Sequence, residues 1–145
     1  MLASQMNTKT MTFLLPNRPT LPQGVASYDA VPASVVIELN GNHWRKILTI
    51  IAKLVTVAEE DWRIVRDQFL WDRVKLIFDP DEASEGWLVI VSKQFHDDFP
   101  IPAEAEAIGA RHTAHIHQKR IWCPYLDYRQ FPNVLVDELV TRIRK

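Results

Sequence analysis

The chain has 145 residues, 47% of them apolar and 24% charged, with 17 basic against 18 acidic side chains. That profile fits one ordinary folded domain and excludes a disordered tail, and at this length a core forms without disulfides or a structural metal. A pI near 6.5 argues against wholesale nucleic-acid packaging, and no run reaches the roughly 18 apolar residues of a membrane span.

Residues 1–15 lack the charged start and apolar run of a signal peptide, and the single cysteine, Cys123, cannot form an internal bridge. A cytoplasmic protein is therefore expected, as one domain over 1–145 in which 1–33 is an irregular, proline-rich N-terminal arm. Residues 1–10 are mostly polar and read as a weakly held start. The run Thr12-Phe13-Leu14-Leu15 suggests an edge strand, and Pro16, Pro19, Pro22 and Pro32 then favour an extended, surface-hugging course.

The β-branched run 34–39, stopped by Asn40-Gly41-Asn42, reads as a buried strand. A helix should follow with Asn42 as its N-cap, because Trp44, Ile47, Leu48, Ile51, Leu54, Val55 and Ala58 recur at steps of three and four. Thr56 and Glu59 match a capping box for a second helix near Val57, with Ala58, Trp62, Val65 and Phe69 facing inward. Trp71 falls off that stripe and is a candidate exposed aromatic or subunit contact.

Residues 73–78 and 87–91 read as two strands around the acidic turn 79–86, most simply an antiparallel pair. Residues 103–108 suit a short helix closed by Gly109, 115–123 a strand, and 133–144 a final amphipathic helix with Leu135, Val136, Leu139, Val140 and Ile143 inward. The element order predicts an α/β fold: a single-domain three-layer sandwich with a mixed, largely parallel sheet, α+β being the alternative.

Charge is unevenly placed. Residues 79–106 carry eight acids against one base, Lys93, whereas 111–145 carry seven bases against three acids. Solvated faces explain such a split most simply; a basic surface for phosphates is the sharper reading.

Three loops concentrate polar side chains where an α/β sheet offers its carboxyl ends. Asn40-Gly41-Asn42-His43 combines a permissive glycine with a helix start, where free N–H groups suit an anion. Ser92-Lys93-Gln94-Phe95-His96-Asp97 offers a cation, an amide and an imidazole. The segment 122–133 holds Tyr125 and Tyr128 as stacking surfaces, Arg129 as a bidentate clamp and Asp127 as a carboxylate to orient a substrate or take a proton.

His112, His115 and His117 form H-x-x-H-x-H, a spacing compatible with a metal, yet no acid or cysteine ligand lies within the cluster, so neither metal nor cofactor is assigned. Cys123 reads as a buried, inert thiol. Gly-rich nucleotide loops, G-x-S-x-G and H-E-x-x-H are absent.

The expectation is a pocket for an anionic or nucleobase-containing small ligand, with an enzyme reaction left open. Asn40, Asn42, Lys93, Tyr125, Tyr128 and Arg129 are its candidate ligand-binding residues, and Asp127, His43 and His96 its candidate catalytic groups. The alternative is a non-enzymatic interaction or homo-oligomeric domain using the aromatic loop, Trp71 and the proline-rich arm. Nucleic-acid binding by the basic C-terminal third is the weaker third reading, and no membrane partner is expected.

Overall fold

The computed structural model describes residues 11–83 and 85–144, so the expected weakly held start lies outside the described residues. Six strands form one mixed sheet in the order β2-β1-β3-β6-β5-β4, where β1 is Met11–Leu14, β2 Val74–Ile77, β3 Leu88–Val91, β4 Glu106–Ile108, β5 Ala114–His117 and β6 Arg120–Cys123. The pairs β1/β2, β1/β3 and β3/β6 are parallel, whereas β4/β5 and β5/β6 are antiparallel. This is the expected single-domain α/β fold with a largely parallel, mixed sheet.

Four helices accompany it: α1 (Ala33–Asn40), α2 (Asn42–Val55), α3 (spanning 62–73) and α4 (Asn133–Ile143). Alternation along the strands sorts side chains onto two faces. Phe13, Leu15, Leu76, Val89, Val91 and Ile121 meet Val36, Ile47, Leu48, Leu70, Leu135 and Leu139, so all four helices cover one face. The opposite face, with Leu14, Ile77, Leu88, Ile90 and Trp122, is covered by Phe95 of a 3-10 turn (Lys93–Phe95) and by Phe99 and Ile101 beyond it. That third layer is therefore thin.

Several elements differ from the sequence reading. Residues 34–39 belong to a helix rather than a strand: Ala33, Val36 and Ile37 are buried at helical spacing, and Pro32 fixes the extended turn that starts it. Gly41, at φ 76°, joins α1 to α2, so Asn42 is the first residue of α2 and not its cap. The 56–59 capping box does not form, because the Val57 N–H donates to Glu60 Oε1 and Asp61 caps α3 through the Arg63 N–H.

Within α3 a π-helical segment, Val65–Phe69, adds a residue to the turn. It carries Phe69 outward and brings Leu70 and Trp71 inward, which overturns the reading of Phe69 as core and Trp71 as exposed. Trp71 Nε1 donates to the Val31 carbonyl at 2.8 Å, and its ring stands edge-on to Tyr28 at 4.7 Å. Ala58 is likewise exposed rather than inward.

β1 is not an edge strand but lies between β2 and β3, and those two strands never pair with each other. Residues 103–108 form a turn and β4 instead of a helix. Residues 115–123 are a hairpin of β5 and β6 rather than one strand, turned tightly at Gln118, which takes φ 56° without a glycine to announce it. The final helix matches its expected start and buries Leu135, Val136 and Leu139.

β2 forms one edge of the sheet, and an edge strand's outward N–H groups need partners. The Leu76 N–H donates to the buried Tyr28 hydroxyl at 2.7 Å, tying the proline-rich segment to that edge. Tyr28→Phe leaves this donor unpaired in the interior, and a loss of about 1–3 kcal/mol is expected. Urea unfolding checks it: the midpoint should fall with an unchanged slope, and an unchanged midpoint would show that the bond contributes nothing.

Candidate functional site

Parallel pairing on both sides of β1 creates a crevice. The chain leaves β1 for β2 through α1, α2 and α3 on one face, and leaves β3 for β6 through the Phe95–Ile101 cover on the other. Loops diverge to opposite faces where two such strands lie side by side, so their carboxyl ends enclose open space. Asn17 follows β1 there, Ser92 and Lys93 follow β3, and Tyr125 follows β6.

A cavity of about 550 Å³ occupies the carboxyl ends of β3 and β6. Its polar wall comprises Ser92, Lys93, His96, Thr113, His115, Tyr125 and Gln130, and its apolar wall Ile101, Trp122, Cys123 and Pro124. No carboxylate lines it among the described residues, although eight acids crowd the surrounding segment 79–106. His115 reaches it from the antiparallel strand β5, whose start lies beside the end of β6.

The environment of each titratable group follows from this placement. Burial first, then the Lys93 ammonium and the His115 imidazole, hold His96 below its ordinary value near 6.5, with Asp97 opposing. The Cys123 thiol is buried, and burial pushes its pKa far up, away from the reactive thiolate. The Tyr125 phenol is raised chiefly by burial, partly offset by Asn17.

Tyr125 joins the crevice together. Its hydroxyl donates to Asn17 Oδ1 at 3.0 Å and lies 2.5 Å from His43 Nε2, linking the loop after β1, the first turn of α2 and the loop after β6. His43, Lys93, His96 and Tyr125 are thus the sequence-derived candidates gathered at the crevice.

The others stand apart. Asn40 accepts from the Thr20 N–H and donates to the Thr20 and Val36 carbonyls, which pins the proline-rich segment to α1. Asn42 Oδ1 accepts from Arg45 Nη1. Asp127 Oδ1 accepts from the Arg129 N–H, its carbonyl accepts from the Gln130 and Phe131 N–H groups, and its carboxylate lies 3.6 Å from Lys46. It therefore builds the turn that aims Gln130 at the cavity. Those contacts, the backbone bond foremost, hold its pKa below the ordinary value.

Arg129 is exposed and does not line the cavity, while Tyr128 borders a separate hollow of about 440 Å³ beside Lys53 and Trp62 on the helical side. Ser92, Thr113 and Gln130 were not singled out by the sequence, and His115 was weighed only as a metal ligand. Period-2 alternation in 114–117 was the available signal for His115. No group of three or more His, Cys, Asp or Glu side chains among the described residues is placed to hold a metal ion.

No described helix is long and apolar enough to cross a membrane. The sequence pattern of the family of unknown function DUF6942 matches residues 4–144, and the chain belongs to that family. No curated protein and no solved structure matches it.

The depressed pKa of His96 has a signed consequence for stability. Below about pH 6.5 the unfolded chain takes up the imidazole proton before the folded chain does, so this contribution is present above that pH and is lost as pH falls through it. His96→Gln should lose less stability than the parent between about pH 7.5 and pH 5.5. Urea midpoints at both values check this, and identical losses in the two proteins would show that His96 titrates normally.

Proposed function

We propose that this protein binds a small organic anion in the cavity at the carboxyl ends of β3 and β6. The observation that carries the reading is the composition of the wall: one lysine and two imidazoles with no carboxylate, although Lys93 and His96 come from the acidic segment 79–106. Lys93 is exposed at the rim of this cavity, and an ammonium with no carboxylate beside it in the wall attracts a phosphate or carboxylate more strongly than one already paired on the surface.

The volume, about 550 Å³, falls within the range of small-molecule sites. Trp122, Ile101 and Pro124 offer an apolar surface for the body of the ligand, and Ser92, Thr113 and Gln130 supply hydrogen bonds that fix its orientation. Burial holds the His96 pKa below its ordinary value, and an anion beside the imidazole favours its protonated form, so affinity rises as pH falls. A nucleobase is one planar body of suitable size, so AMP probes both halves of the site and inorganic phosphate the charged half alone.

Thermal unfolding with AMP, citrate and inorganic phosphate tests the reading. A ligand at one hundred times its Kd adds about 2.7 kcal/mol, which raises Tm by roughly 5–10 °C in a chain of this size. At least one anion should raise the Tm of the parent, and Lys93→Ala should abolish the shift while leaving the unliganded Tm within about 1–2 °C. A parent unmoved by all three anions, or a Lys93→Ala protein that responds equally, would sink the assignment.

A further inference from the structure

The geometry points to Ser92 as a nucleophile with His96 as its general base, acting on carboxylic esters that carry an anionic group, an inference that rests on the anion-binding reading of the same cavity.

Ser92 adopts φ 91° and ψ 144°, a conformation that L side chains rarely take and glycine takes freely. It ends β3, a strand whose four residues are all buried, and opens the 3-10 turn Lys93–Phe95. A strained non-glycine residue persists where a function or the surrounding structure requires it. Here the packed strand on one side and the turn on the other force the bend, which places Ser92 at the cavity wall.

The hydroxyl is poorly occupied. Oγ accepts from the Gln94 N–H at 3.3 Å, which occupies a lone pair and does not engage the hydroxyl proton. His96 caps the other end of the same turn, where its N–H donates to the Lys93 carbonyl at 3.0 Å, and both side chains line the cavity. Lys93 and Asp97 act on this imidazole from its own segment and His115 from β5, while Cys123 and Tyr125 share its cavity. Burial keeps it neutral near pH 7 and so able to take a proton.

In the reaction Oγ attacks the acyl carbon while its proton passes to His96. The bond from that carbon to the leaving alcohol oxygen breaks, and the proton moves from His96 to the departing oxygen. Water then repeats the exchange on the acyl-serine, giving the free acid and restoring the hydroxyl, with no change in oxidation state. Lys93 holds the anionic group, and Ile101 and Trp122 receive the apolar part.

The test treats the full chain with a fluorophosphonate and maps the modified peptide by mass spectrometry. Oγ–P forms, P–F breaks, fluoride leaves, and the hydroxyl proton goes to His96. Label is expected on Ser92, with a rate about 100-fold lower in His96→Gln and falling in the parent only as pH drops through the lowered His96 pKa, that is, at lower pH than for an ordinary imidazole. Glycine is comfortable at this φ, so Ser92→Gly should lose the label while its Tm rises.

A second arm covers a probe that does not fit. Because Cys123 lines the same cavity, the Ser92→Cys change is made in a Cys123→Ser background, where iodoacetamide reports on the introduced thiol alone; it should react at least about tenfold faster than free cysteine and slow down when His96→Gln is added. No label at Ser92, together with a thiol no faster than free cysteine, would overturn the nucleophile. Label or alkylation unaffected by His96→Gln would overturn the base. An AMP-induced rise in Tm without either reactivity would leave anion binding standing and remove the reaction, whereas reactivity without any anion response would remove the binding reading and the anionic group of the ester with it, leaving the Ser92–His96 pair.

Discussion

The position of β1 between two parallel partners is the constraint on which the molecule depends. A four-residue strand that pairs on both sides must be buried on both faces, and Phe13 and Leu14 are each fully enclosed. Because β2 lies on one side of it and β3 on the other, the chain must cross twice, once over each face. The first crossing uses three helices and supplies most of the core. The second, through the acidic turn, contributes Ala83 to the thinner layer. The crevice at the carboxyl ends follows from the exits of the neighbouring strands β1 and β3 to opposite faces.

That arrangement also explains the proline-rich segment. It must run from the end of β1 across the helical face to α1 without adding a strand to the exposed edge of β2, and prolines lack the N–H that pairing requires. Side chains hold it in place: Asn40 grips Thr20, Trp71 grips the Val31 carbonyl, and Tyr28 closes the edge. Trp71, off the stripe by simple periodicity, is one of these anchors because the π-helical segment rotates it inward.

Legibility in the sequence followed the range of the interaction concerned. α2 and α4 were readable because each carries a long apolar stripe that needs only its own neighbours to be recognised. Residues 34–39 were not, since β-branched content suggested a strand while burial of Ala33, Val36 and Ile37 against α2 and the sheet selected a helix. The parallel partners of β1 and the hairpin turn at Gln118 lay beyond local pattern, the first set by non-local pairing and the second by a residue type that rarely announces a turn.

The same distinction separates the candidate residues. Lys93 and His96 were legible because they follow the most apolar strand, and a strand end fixes where its loop goes. Asp127 and Asn40 stand apart from the cavity because short polar side chains in loops serve turns as readily as ligands: both bond the backbone here, and Asp127 also lies 3.6 Å from Lys46. Ser92 gave no local signal, since a serine after a strand looks ordinary until its φ is known. Gln118 departs from the preference of its residue type as well, and there the positive φ serves a two-residue hairpin turn. At the end of β3 a glycine would satisfy the same bend with less strain, whereas the serine adds a hydroxyl that accepts from the Gln94 N–H and caps the turn that follows.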